Sequence, residues 1–104
     1  MAQIPDVIME SVGKFLAALR RQRRIEAAYI YGSQVRGVAT EWSDIDLAVV
    51  SPDFSSDLFH ERIALLRLAA EIDDRIEAQP FTPQDFSSSD PLAAQVRSTG
   101  VRVA

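Results

Sequence analysis

Two aspartates one residue apart, Asp44-Ile45-Asp46, stand at the head of the apolar run Leu47-Ala48-Val49-Val50. A Gly32-Ser33 pair precedes them, and Arg36-Gly37 lies between. Carboxylates that close repel each other and raise each other's pKa unless a cation sits between them. A hard divalent ion such as Mg²⁺ suits the pair, because it takes oxygen ligands and keeps several waters. The plainer alternative makes Asp44 a turn cap and Asp46 a solvated strand residue. The loop weighs against it. Gly32 permits close backbone approach, Ser33 offers an N–H and a hydroxyl, and such a turn can cradle a phosphate. A phosphate loop, a carboxylate pair and the Arg36 cation thus lie within 15 residues, the parts that phosphoryl-group chemistry needs.

The elements that must position them follow from periodicity. Ile8, Val12, Phe15, Leu16 and Leu19 predict an amphipathic helix from about Pro5 to Arg23, with Arg20, Arg21, Arg23 and Arg24 forming a solvated, basic end. Ile25 to Tyr31 reads as a strand, Gly32 to Ser43 as a polar loop, and Asp44 to Ser51 as a second strand. Ser55, Ser56 and Asp57 offer caps for a second helix. Its expected apolar face is Phe59, Ile63, Leu66 and Ala70, with Leu65, Ala69 and Ile72. Arg75 to Phe81 reads as a third strand stopped by Pro80 and Pro83. Thr82-Pro83-Gln84-Asp85 and Asp90-Pro91 are helix starts, Gly100 ends the last helix, and Val101 to Val103 suits a short edge strand.

This order predicts an α+β fold, a small mixed sheet with helices packed on one face and the other face open to carry a site. Residues i and i+2 of a strand share a face. Asp44 and Asp46 therefore point together, with Ala48 and Val50 behind them, while Ile45, Leu47 and Val49 meet the helices.

At 104 residues, a single domain over 1–104 is expected. The net charge of −4 argues against a broad nucleic-acid-binding face, and the absence of cysteine excludes disulfides and thiolate metal sites. No signal peptide or membrane span is visible. A soluble, cytoplasmic protein is the expectation.

The stretch GSQVRGVATEWSDIDLAVV resembles the signature of the DNA-polymerase-β-type nucleotidyltransferases, and within them the minimal nucleotidyltransferases of prokaryotes. Gly32, Ser33, Arg36, Gly37, Ser43, Asp44, Asp46 and Leu47 stand where that pattern wants them. The resemblance implies two-metal nucleotidyl transfer from a nucleoside triphosphate such as ATP, releasing pyrophosphate. Gly32 and Ser33 would hold the β- and γ-phosphates, and Asp44 and Asp46 would bind two Mg²⁺ ions. Arg36 would touch the triphosphate or tie down its own loop. The family uses a third carboxylate on a later strand, here Asp73, Asp74 or Glu77. Parity favours Glu77, because Ile76 and Ala78 should face the helices. The resemblance further implies a helical HEPN-type toxin as partner, with this chain as its antitoxin and AMP transferred to it. A binding-only antitoxin and a transferase for a small molecule such as an antibiotic are the alternatives. Outside the motif, His60 reads as surface packing, and Trp42 as a cover for the loop or a platform for a base.

Overall fold

The computed structural model describes residues 4–40 and 42–104. The first helix, α1 (Asp6–Leu19), buries Ile8, Val12, Phe15, Leu16 and Leu19. It ends before the arginine cluster. Arg23 instead reaches Glu61 at 2.7 Å, and Arg24 grips Asp53 through its backbone N–H (2.7 Å) and guanidinium (2.9 Å). The expected solvated basic end is therefore half engaged in holding the α1–β1 connection.

Strand β1 (Ala27–Tyr31) is followed at once by a one-turn helix, α2 (Ser33–Arg36), where a loop was expected. Two glycines frame that turn, Gly32 at φ 75° and Gly37 in the left-handed region at φ 74°. Strand β2 (Ile45–Val50) starts one residue later than expected, so Asp44 just precedes it. Helix α3 (Leu58–Ala70), capped by Asp57, connects β2 to β3 (Ile76–Phe81), which runs parallel to β2. A parallel pair needs such a crossover. Pro80 sits inside β3 rather than ending it; β3 is an edge strand, where a missing N–H costs no ladder bond.

Two capped helices follow, α4 (Pro83–Phe86) and α5 (Pro91–Thr99), and then the short strand β4 (Val101–Arg102). Thr82 accepts from the Asp85 N–H and Asp90 from the Ala93 N–H, as their start signals predict. The sheet order is β3-β2-β1-β4, with β1 antiparallel to both neighbours.

One face of this mixed sheet forms the main core. Ala28, Ile30, Ile45, Leu47, Val49, Ile76 and Ala78 pack there against α1 and α3. Helix α3 lies differently from expectation. Leu65 and Ala69 are its buried apolar residues, whereas Phe59 is 69% and Leu66 43% exposed. The reason is Glu61, which occupies a core-facing position and so hides the true apolar stripe. Its carboxylate is satisfied by Arg23 and by the Ser55 N–H at 2.8 Å. The opposite sheet face, expected to be open, is covered over part of its extent. Ala27, Tyr31, Ala48, Val50 and Phe81 form a second cluster with Ala93 and Val96 of α5. Phe86 of α4 joins it, stacked on Tyr29 at 5.1 Å and edge-on to Phe81 at 5.6 Å. Among the described residues, no helix is long and apolar enough to cross a membrane.

Candidate active site

The site forms where β1, β2 and β3 come into register beyond the cover of α5. Tyr31 pairs with Asp46 across β1 and β2, and Asp46 pairs with Glu77 across β2 and β3. Partners on neighbouring strands lie roughly 5 Å apart and point to one face. Tyr31, Asp46 and Glu77 thus form one row on the face away from α1 and α3. Their neighbours in the next rows, Ala48 and Val50, are buried under α5.

Asp46 is half-buried because the chain folds the Gly32 turn over it. A Cβ built on Gly32 would collide with Asp46 Oδ2. Glycine is therefore required twice there, for its positive φ and for the space the carboxylate fills. Burial raises the Asp46 pKa, the nearby charge of Asp44 raises it further, and Arg36 opposes the rise. The Tyr31 hydroxyl is pushed up to about 12, first by burial and then by the charges of Asp46 and Glu77, with Arg62 opposing. Tyr31 therefore stays a protonated donor at neutral pH while facing both carboxylates.

The backbone that carries Asp44 is tied to α2. Gln34 is buried, and its Nε2 donates to the Asp44 carbonyl at 3.4 Å. Thr40 and Ser43 close the intervening loop, with Thr40 N–H donating to Ser43 Oγ at 2.9 Å and Ser43 N–H to the Thr40 carbonyl at 3.1 Å. Ser33 opens α2 directly after Gly32. The Val35 and Arg36 N–H groups both donate to the Gly32 carbonyl at 3.1 Å, so the N–H groups that open the turn are the ones that can meet an anion. Arg36 is exposed on α2, within electrostatic reach of Asp46.

Among the candidates for a third carboxylate, Asp73 is occupied. Arg75 chelates it at 2.7 Å and 3.0 Å, which holds its carboxyl well below the usual range. Asp74 is exposed in the turn before β3, outside the register. Glu77 is exposed and stands opposite Asp46, where strand parity places it. Trp42 is 84% exposed, so it does not cover the loop. His60 is exposed on α3 and pairs with Asp57, its helix cap, as a surface residue would.

Sequence reasoning missed Gln34 and Tyr31. The first lies in what read as a polar loop, and the second read as one more apolar strand residue. Tyr31 could have been found by extending the parity argument one strand back.

The donor set fits a hard divalent ion in part. The groups are carboxylates, and burial together with the neighbouring Asp44 charge raises the Asp46 pKa, a cost that a bound cation would relieve. Among the described residues, however, no three His, Asp or Glu side chains converge closely enough to hold a metal by themselves. Asp44 lies before the strand and Glu77 extends into solvent, so the set is open. Mg²⁺ tolerates that, since it is commonly held by one or two carboxylates plus substrate phosphates.

A family profile, polymerase beta nucleotidyltransferase, matches residues 14–103. No curated protein matches the chain. Among solved structures, the fold is similar to a tyrosine-to-alanine mutant of the MntA–HepT toxin–antitoxin pair, at 27% identity and TM-score 0.62, covering 89% of this chain and 71% of that one. A toxin–antitoxin complex with AMP-PNP is similar at 25% identity and TM-score 0.63, over 90% and 70% of the two chains. A Shewanella oneidensis complex of tri-AMPylated HEPN toxin with MNT antitoxin, at 22% identity, TM-score 0.57 and coverage of 93% and 69%, shares the fold. With the Gly-Ser turn, the Asp-x-Asp strand and the sheet order in place, the chain belongs to the polymerase-β nucleotidyltransferase family, and its solved neighbours are consistent with an MNT-type domain within it.

Proposed function

We propose that this chain is a metal-dependent nucleotidyltransferase that moves AMP from ATP to a hydroxyl of a partner protein, as the antitoxin of a HEPN/MNT pair. The observation that carries the reading is the Asp46 carboxylate seated on Gly32 and in register with Glu77. It sets a phosphate-binding turn directly against an acidic row. The similar complexes hold AMP-PNP in one case and an AMPylated HEPN toxin in another, which supports the nucleotide and the acceptor class.

Gly32 and Ser33 bind the β- and γ-phosphates through backbone N–H groups and the Ser33 hydroxyl, and Arg36 adds positive charge beside them. Asp44 and Asp46 are the residues that would hold Mg²⁺. When bound, the metal neutralises phosphate charge and lowers the pKa of the acceptor hydroxyl. The acceptor oxygen forms a bond to the α-phosphorus as the bridging bond to the β-phosphate breaks, and pyrophosphate leaves. Glu77, exposed and long enough to reach the acceptor, takes its proton. Tyr31 remains protonated beside Asp46 in the strand row. An acidic chain repels a nucleic-acid backbone, so a protein hydroxyl is the acceptor favoured by charge.

Titration calorimetry tests the nucleotide half. ATP should bind in the presence of Mg²⁺ and bind at least about tenfold more weakly without it. Equal binding without metal contradicts the reading. The open carboxylate set favours one second reading, an antitoxin that binds its partner without transferring AMP. A partner held and silenced but unmodified would select that alternative.

A further inference from the structure

Helix α3 carries two apolar stripes, and the fold uses only one. Leu65 and Ala69 face the main core. On the outer side lie Phe59, Ile63, Leu66 and Ala70, spaced by four, three and four residues. Phe59, Leu66 and Ala70 are exposed and Ile63 is half-buried. Alternating steps of four and three are the seam of a heptad pattern, the spacing that receives a neighbouring helix knobs-into-holes. The stripe runs about 16 Å along α3, at ~1.5 Å per residue, which is three turns. The described residues leave it uncovered.

Its flanks carry charge of one sign. Arg62 directly precedes Ile63 and Arg67 directly follows Leu66, the two positions that border a heptad seam. Both are exposed, and neither enters an ion pair among the described residues. In a chain of net charge −4, a basic-edged apolar seam is a local exception. It also argues against a second copy as occupant. Antiparallel pairing of two α3 helices sets Arg62 against Arg62 and Arg67 against Arg67. Parallel pairing sets Arg62 of one copy against Arg67 of the other. Like charges face each other either way, which opposes association.

We propose that the outer face of α3 docks a helix of a partner protein whose apolar seam is edged by Asp or Glu. The proposal rests on the reading that the acceptor belongs to a partner protein. Helix α3 packs on β3, the strand that carries Glu77, and Arg62 lies within electrostatic reach of the Tyr31 hydroxyl. A helix seated on the outer face of α3 lies on the other side of the sheet from the carboxylate row and leaves that row uncovered.

The test uses the full chain and two labelled synthetic helices of three heptads. Both have Leu along the seam; one has Glu at its flanks and the other Lys. Fluorescence anisotropy should show the Glu-flanked helix binding at least tenfold more tightly. The double variant Arg62→Glu/Arg67→Glu should reverse that order, and Leu66→Glu should weaken binding of both helices. Equal affinity for the two helices, or an order unchanged by the double variant, overturns the proposal. So does self-association in sedimentation that Leu66→Glu abolishes, since the occupant is then a second copy. The assay contains neither ATP nor metal. Lost AMP transfer with the helix preference intact counts against the catalytic reading, and the reverse outcome counts against this face alone.

Discussion

The far face of the sheet has two halves built on the same strands. In one, Ala48, Val50 and Phe81 lie buried beneath α5 and α4. In the other, Asp46 and Glu77 continue the row from the buried Tyr31, with Asp46 half-buried under the Gly32 turn and Glu77 exposed. The strand geometry is common to both, so the difference comes from where the cover stops. Under the helices the chain places small and aromatic side chains that exclude water. Beyond them it places two carboxylates and a glycine turn shaped around one of them. The covered half should govern stability and the open half chemistry, and substitutions can break or sharpen that division.

The largest effect should come from Asp46→Asn. On the proposed reading Asp46 is a metal ligand, and losing it removes several kcal/mol of transition-state stabilisation. A transfer assay should therefore show at least a 10³-fold loss, about 4 kcal/mol of barrier. Its stability should move the other way. The folded-state pKa of Asp46 is raised, so protonation favours the folded protein and the ionised group is a burden above that pKa. At neutral pH the variant should melt at the same temperature or higher. A large drop in melting temperature would make Asp46 a structural residue and erase the division between the halves.

Phe81→Ala is the reciprocal change in the covered half. Phe81 is only 6% exposed and meets Phe86 edge-on. Truncation should cost about 3 kcal/mol in a denaturant melt. Below the new midpoint, Mg²⁺-dependent ATP affinity should stay within about threefold of the parent. A selective loss of ATP binding would show that the cover helps build the site.

Within the open half, Glu77→Gln should lower transfer by about 10²-fold, in line with loss of a general base. Asp74→Asn should change it less than threefold, because Asp74 lies outside the register. The reverse ranking would mean that Glu77 is only an exposed strand residue.

The smallest effect concerns Asp73, which lies in the turn before β3 and is tied to Arg75. Its folded pKa is depressed, so its contribution is present above the unfolded value near 4 and is lost as pH falls below it. Asp73→Asn should cost about 1–2 kcal/mol at pH 7 and should flatten the acid limb of the stability profile below about pH 4, with transfer unchanged. A pH profile identical to the parent's would remove Asp73–Arg75 from the list of acid-sensitive contacts.

Much of this division was legible in the residues. Period-two alternation put Asp46 on one face and Ile45 and Leu47 on the other, and the Ile76–Ala78 pair placed Glu77 beside it. The cover was not legible, although Ala48 and Val50 carried a signal: a strand face that changes from charged to apolar along its length announces where a lid begins. Helix α2 escaped notice because four residues are too few to show a period; only the two glycines mark its ends. The core face of α3 was drawn too broadly: Leu65 and Ala69 face the core as expected, but Glu61 fills a buried position, which a hydrophobicity pattern cannot credit without knowing that Arg23, 38 residues away, is its partner. Gln34 was invisible for the same reason, since its acceptor is the backbone of Asp44.

Intact-mass spectrometry of the co-expressed partner protein, after incubation with ATP and Mg²⁺, tests the acidic row as a catalytic centre. The partner should gain the mass of one or more AMP groups with the parent chain and none with Asp46→Asn, while both chains retain the partner. An unmodified partner with the parent chain, or equal modification with Asp46→Asn, would contradict AMP transfer at this row.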